Sequence, residues 1–130
     1  MIVIDSSAVV DLLAGGGERA TWVAERIGDS EPLAAPHLLD AEVIGALRRL
    51  VKAGHVSLHE ADRAVGDLVQ LDLERYPHLD LVDRAWSLRD RLSMGDAIFV
   101  SLAEALAAPL LTTDRRLARA HGLDAEIIGP

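Results

Sequence analysis

"MIVIDSSAVVDLL", residues 1–13, sets the frame for the whole chain. Ile2, Val3 and Ile4 form a continuous apolar run, as in a strand buried on both faces of a parallel sheet. Asp5, Ser6 and Ser7 follow at once, and Ala8, Val9 and Val10 are apolar again. A carboxylate and two hydroxyls at a strand-to-helix junction suit helix capping. They also suit a site at the carboxyl end of a strand, where open α/β sheets hold their ligands.

Working outward, the pattern alternates. Helices are predicted near 7–13 and 18–28, joined by "AGGGE" (14–18), a flexible turn that lacks the Lys-Ser/Thr ending of a phosphate loop. "PLAAP" (32–36) reads as a strand between prolines. Leu39, Val43, Leu47 and Leu50 recur near helical period and predict a helix over 38–53, ended by Gly54. "SLHE" (57–60) is a capping box that opens a helix to about residue 71. "LDLERY" (71–76) is the next strand, stopped by Pro77. Helices follow over 79–92 and 95–107, then a strand "PLLTT" (109–113), a short helix in "DRRLARAHG", and a last strand in "AEIIG". Strands alternating with helices predict an α/β fold, with a parallel sheet covered by helices on both faces. Asp5 and Asp114 then share one sheet edge if their strands are parallel neighbours.

The chain has 130 residues, half of them hydrophobic, which predicts a single domain over 1–130 with a sizeable core. Cysteine is absent, which excludes a disulfide framework, thiolate chemistry and Cys-based zinc sites. A reducing compartment, no leader peptide and no membrane span are the matching expectations, so the predicted location is cytoplasmic. The net charge is −8, from 21 acidic and 13 basic residues. That argues against a broad basic face for polyanions. It leaves room for a nucleic-acid enzyme that offsets its own carboxylates with metal cations. Twelve of the basic residues are Arg, and Lys52 is the only Lys.

Four acids stand out by position. Asp5 and Asp114 follow apolar strands, Glu42 lies between Leu39 and Ala46 on the apolar side of its helix, and Asp96 opens the helix "GDAIFVSLAEAL". Charges near a core-facing stripe are costly unless paired or bound to metal. No core lysine matches them, so the expectation is a cation, and hard oxygen ligands without Cys or paired His favour Mg²⁺, with Mn²⁺ as a substitute. The chemistry that follows is phosphodiester hydrolysis by metal-activated water. Ser7 and Thr112 are predicted to orient Asp5 and Asp114 through hydrogen bonds. Helix N-termini near Asp5, Asp96 and Asp114 would favour the ionised carboxylates.

Each residue also has a plainer reading. Asp5, Asp96 and Asp114 suit helix caps, Glu42 suits a solvated helix position, and Ser6 suits a turn or cap. His37, His55, His59, His78 and His121 occupy no triad context and are assigned to the surface. Asp40 is read as a cap or an outward residue, and Asp11 as either a further pocket acid or an exposed one. Arg48, Arg49 and Lys52 after Glu42, and Arg115, Arg116 and Arg119 after Asp114, suit a solvated face with ion pairs, the functional alternative being that one or two guide a nucleic-acid backbone towards the acids. Trp22 and Trp86 are assigned to packing in the core or at a dimer interface, and with aromatics at 3% extensive base stacking is not expected.

"VIDSSAVVDLL", "LLDAEVIGAL", "GDAIFVSLAEALAAPLLTTD" and "RRLARA" come in order along the whole chain. Together they resemble the PIN-domain family and, within it, the VapC-type toxin ribonucleases of type II toxin–antitoxin pairs. The resemblance implies a three-layer α/β/α domain with a central parallel sheet. It implies a Mg²⁺-dependent endoribonuclease, usually a homodimer, that cuts RNA and is silenced by a cognate VapB-type antitoxin. Position by position, it makes Asp5, Glu42, Asp96 and Asp114 the acidic pocket, with Asp5 and Asp96 the firmest metal ligands. Ser7 and Thr112 match the supporting hydroxyls, and Arg115 and Arg116 are best placed to guide the RNA backbone. Gly95 departs from the pattern, because relatives often carry an aromatic residue before the third acid.

Three rivals are set against this reading. A receiver-type phosphoacceptor domain needs a Lys near its late strand, and none follows Lys52. A haloacid-dehalogenase-type phosphatase needs a second acid where Ser7 stands. A catalytically silent PIN-like interaction module has no chemical reason to hold four costly carboxylates together.

Overall fold

A computed structural model describes residues 1–29 and 31–130. Five short strands form one parallel sheet: β1 (Ile2–Ile4), β2 (Leu33–Pro36), β3 (Glu74–Tyr76), β4 (Leu110–Leu111) and β5 (Ile127–Ile128). Their order across the sheet is β3-β2-β1-β4-β5. The three inner strands are buried and apolar on both faces, as a covered parallel sheet requires. The edge strand β3 is the polar segment Glu74-Arg75-Tyr76, which discourages further pairing.

Two sets of helices cover the sheet. The first comprises α1 (Ser6–Val10), which runs into a wider helical turn at Asp11–Gly15, α2 (Gly17–Ile27), α3 (Leu38–Lys52) and α4 (Leu58–Gln70). These pack on one another, and α3 also rests on β2. The second comprises α5 (Val82–Ser87), after a 3-10 turn at Leu79–Leu81, and α6 (Met94–Leu106). Helix α6 lies across β1, β2 and β4. Its Ala97, Phe99, Val100, Ser101, Leu102 and Ala103 are all buried, as expected of a helix that is apolar nearly all round. The one hydroxyl among them, Ser101, donates to the Ala97 carbonyl at 2.7 Å. A short α7 (Arg115–Ala118) joins β4 to β5. The result is the predicted α/β/α layering. Among the described residues no helix is long and apolar enough to cross a membrane.

Chain order and strand order place the functional edge. The chain leaves β1 towards β2 on one side, while β4 lies on β1's other side. The crevice of a doubly wound sheet opens where the winding reverses, at the carboxyl ends of the two strands. Val3 pairs with Leu110 and Ile4 with Leu111, and the Asp5 amide donates to the Leu111 carbonyl at 3.1 Å. Asp5 and Thr112 therefore stand side by side at that crevice, with Asp114 two residues on.

Several boundaries differ from expectation for local reasons. The strand expected over 71–76 pairs only at Glu74–Tyr76, and the one expected over 109–113 only at Leu110–Leu111. The helix expected over 79–92 divides into the 3-10 turn, α5 and a series of turns. Asp96 does not open its helix. Ser93 caps α6, accepting the Asp96 amide at 3.2 Å, so Asp96 is the third residue of the helix, within its first turn. Trp22 packs on the rim of the core as expected, with the Arg26 guanidinium 4.0 Å over its ring. Trp86 does not enter the core: it is 61% exposed. Gly54 ends α3 as expected, at φ +77°, the left-handed region that favours glycine. Asp40 faces Arg75 of β3, which donates to both its oxygens at 2.8 and 2.9 Å and ties α3 to the sheet edge.

The C-terminus of α6 makes a stability prediction. Ala107 takes the left-handed conformation at φ 50°, the place usually given to glycine. That conformation costs a side-chain-bearing residue about 1–2 kcal/mol, partly offset by the smaller unfolded-state entropy of alanine. Ala107→Gly is expected to raise the melting temperature by roughly 3 °C. An unchanged or lower value in thermal unfolding would contradict this.

Candidate active site

The carboxyl ends of β1 and β4 open into a cleft of about 840 Å³, whose walls include Ser6, Ser7, Asp11, Arg19, Glu42, Arg49, Thr113 and Asp114. Asp5 lies at its base, 4% exposed. As the cap of α1, Asp5 accepts the Ala8 amide on Oδ1 at 2.9 Å, and the Ser7 hydroxyl donates to the same oxygen at 2.7 Å. The Thr112 hydroxyl donates to Oδ2. Thr112 Oγ1 also accepts the Asp114 amide at 3.0 Å, and Ser7 Oγ accepts the Thr113 amide at 3.2 Å. The two hydroxyls thus lock β1, α1 and the β4–α7 turn into one unit, the part expected of Ser7 and Thr112. Capping and site-building are not alternatives for Asp5, since one carboxylate does both. Asp114 likewise caps α7, accepting the Arg116 amide on Oδ1 at 2.8 Å.

Glu42 lines the cleft from α3, and Asp96, on α6, lies close enough to act on the charges of Asp5 and Glu42. Among the described residues, no salt bridge neutralises any of the four acids. Burial pushes the Asp5 carboxyl up to about 6, against the pull of Thr112, Ala8 and Ser7, and the nearby Asp96 raises it further. Burial is also the first cause that raises Glu42, followed by the charges of Asp96 and Asp5, while Ser6 and Arg49 act the other way. Asp96 is raised by burial and by Asp114, and lowered by Ser93 and Arg116. Burial thus works against the helix N-termini at Asp5 and Asp96, which favour the ionised form. Glu42 Oε1 is buried with no hydrogen-bond partner, which is expensive for a carboxylate.

The four acids interact pairwise. Among the described residues, however, no three such side chains are arranged to hold a metal ion as they stand. Both oxygens of Asp5 accept from protein donors, which fix the direction of its carboxylate. The donor set still suits a hard divalent cation, being all oxygen and without a salt bridge among the described residues, with Asp5, Glu42 and Asp96 raised first by burial and then by neighbouring acids. The orphaned Glu42 oxygen is where such an ion would relieve a cost already present in the fold. Gly95 bears on this directly. A Cβ there would lie 3.2 Å from Glu42 Oε2, so the missing side chain gives the Glu42 carboxylate its space.

Arg116 lies close enough to Asp96 to influence its charge, whereas Arg115 borders a neighbouring cavity. Arg19 and Arg49 line the cleft itself. Arg49 is among the basic residues weighed as RNA guides, whereas sequence reasoning missed Arg19, because α2 reaches the cleft only through tertiary packing. Asp11, read as pocket or surface, lines the cleft, and Ser6 joins it on the Glu42 side. All five histidines are exposed, as expected.

The PIN domain family pattern matches residues 2–123. Ribonuclease VapC1 of Mycobacterium tuberculosis is 47% identical over 126 residues, covering 96% of this chain and 94% of its own. The solved structure of PAE2754 from Pyrobaculum aerophilum has a TM-score of 0.68 at 29% identity, covering 97% of this chain and 81% of that one. A chain in a toxin–antitoxin complex from Klebsiella pneumoniae shares the fold with a TM-score of 0.69, at 17% identity over 98% of this chain and 96% of its own. A sheet reversal that gathers four uncompensated acids, joined to a family match along nearly the whole sequence, leaves one assignment: the chain belongs to the PIN-domain family, among its VapC ribonucleases.

Proposed function

We propose that this chain is a Mg²⁺-dependent endoribonuclease, with Mn²⁺ as a substitute, and the toxin of a cytoplasmic toxin–antitoxin pair. The observation that carries the reading is the crowding of Asp5, Glu42, Asp96 and Asp114 at the sheet reversal with, among the described residues, no salt bridge to any of them. Asp5, Asp96 and Asp114 would hold the metal, and Glu42 would ligate it or orient the attacking water. A divalent ion bound there would offset the charge of the phosphate and acidify water. Ser7 and Thr112 keep Asp5 fixed in direction, so little reorganisation is needed when substrate arrives. Arg116 and Arg115, beside the acids on α7, would hold the RNA backbone through forked contacts to phosphate.

Hydrolysis by water needs no 2′-hydroxyl nucleophile, so the products should carry 5′-phosphate and 3′-hydroxyl ends. The partners in this reading are a second copy of the chain and a cognate VapB-type antitoxin, whose arginine could reach the carboxylates and silence them. The test is incubation of a cellular RNA pool with protein freed of antitoxin, with Mg²⁺, with Mn²⁺ and with EDTA, followed by end mapping. Discrete cuts with 5′-phosphate ends, absent in EDTA, are expected. EDTA-resistant cutting, 2′,3′-cyclic phosphate ends, or intact RNA with folded protein would each overturn the reading.

A further inference from the structure

A second cavity, of about 220 Å³, opens beside the acidic cleft and is lined by Glu18, Arg19, Trp22, Thr113, Arg115 and Pro130. It shares Arg19 and Thr113 with the larger cleft, so the two cavities adjoin. Thr113 sits between Thr112, which holds Asp5, and Asp114. The second cavity therefore begins one residue from the acids.

Its chemistry differs from that of its neighbour. Two arginines border it in a chain of net charge −8, and among the described residues neither forms a salt bridge. Trp22 is held on the core rim, and the Arg26 guanidinium lies over one face of its ring at 4.0 Å, so only the remaining part of the indole borders the cavity. A rigid indole beside two free guanidiniums is the combination that single-stranded RNA uses, bases against aromatic or guanidinium planes and phosphates against Arg. The volume is below the range of about 300–1,000 Å³ of pockets for whole ligands, which suits one base rather than a peptide segment.

Resting on the ribonuclease reading, we propose that this cavity is a nucleotide subsite adjoining the scissile phosphate. The neighbouring base lies against Trp22, its phosphate is held by Arg19 and Arg115, and Glu18 accepts from a base N–H. The subsite would give the enzyme its sequence preference on one side of the cut, and it extends substrate binding beyond the α7 arginines to α2.

The test uses the full-length protein and an RNA oligonucleotide carrying its mapped cut site. Abasic nucleotides are placed singly at each position flanking the cut. For wild type, one abasic position is expected to lower kcat/KM by about 5- to 100-fold, the worth of one base–aromatic stack. Trp22→Leu should cause a similar loss on the intact RNA and no further loss on that abasic RNA, while Trp22→Phe keeps most of the activity. A purely structural role for Trp22 would not produce this non-additivity. Arg19→Gln, an exposed change that leaves packing alone, should weaken RNA binding and reduce the salt slope of log K by about 1.

Failure of the two readings is separable. Wild type that cuts no RNA overturns the nuclease and the subsite with it. Wild type that cuts, with Trp22→Leu and abasic effects additive at every position and Arg19→Gln unchanged in salt slope, overturns the subsite alone. Shielding of Trp22 by antitoxin without any abasic effect would assign the cavity to the protein partner, and would also overturn it.

Discussion

Asp5→Asn is expected to lose at least about 1,000-fold in RNA cleavage and, without metal at pH 8, to melt higher than wild type. The first effect follows if Asp5 fixes a metal whose contribution to charge stabilisation is worth several kcal/mol. The second follows from burial. The Asp5 carboxyl is raised to about 6 in the fold, so between about pH 4 and 6 the folded state binds a proton that the unfolded chain releases. Stability from this group is complete below about pH 4 and is lost as pH rises through 6. Above that, the metal-free protein carries a buried charge at a cost of roughly 3 kcal/mol. Asparagine stays neutral throughout. Its Oδ1 keeps the Ser7 and Ala8 donors, and Thr112 can turn its hydroxyl towards Ser7, 3.2 Å away. The variant should melt about 5–10 °C above wild type at pH 8, with the gap closing towards pH 4. Thermal unfolding in EDTA across pH 4–8 checks it. A variant that melts lower at pH 8, or a gap independent of pH, would show that Asp5 is held as a stabilising anion. Folded Asp5→Asn with near-normal cleavage would remove Asp5 from the chemistry.

The same residue shows what was readable in the sequence. Asp5 after an apolar triplet marks both a cap and a strand end, and the strand order turns that strand end into the reversal point. The capping box at Ser57, the end of α3 at Gly54 and the buried face of α3 follow from local spacing, and the structure has them. The identical device at Ser93–Asp96 was not read, because Gly95 looked like the start of a helix rather than its second residue. Short strands were overestimated because apolar runs outlast pairing: Pro109 and Thr112 flank β4 and are buried or half-buried without extending it. The charge state of the site was not legible at all. Helix position favours ionised Asp5 and Asp96, and only the packed structure shows the burial that opposes it. Arg19 and the exposure of Trp86 were equally out of reach, since each depends on which face of a helix the rest of the chain covers.

Mg²⁺ or Mn²⁺ is expected to raise the melting temperature of the wild-type protein, and by more at pH 8 than at pH 5. Binding that favours only the folded state adds RT ln(1 + [L]/Kd), about 2.7 kcal/mol at a hundredfold excess over Kd, which corresponds to roughly 8–10 °C for a chain of this size. The pH dependence has a definite sign. At pH 5 most Asp5 carboxyls are protonated in the metal-free fold, and Glu42 and Asp96 are raised in the same direction, so the ion must displace protons to bind. At pH 8 it meets carboxylates that repel one another, and neutralising them returns the stability that burial removed. Asp5→Asn and Asp96→Asn should each cut the metal-induced shift sharply, and Asp5→Asn should gain less because its metal-free form already melts higher. An equal concentration of charge supplied as NaCl controls for screening, which acts weakly on groups buried this deeply. A melting temperature that ignores divalent ions at pH 8, or a shift unchanged in both variants, would place the cation elsewhere or remove it. Either outcome would leave the orphaned Glu42 oxygen as a cost without a function, and the proximity of four acids at the one point where the sheet reverses would lose its chemical reason.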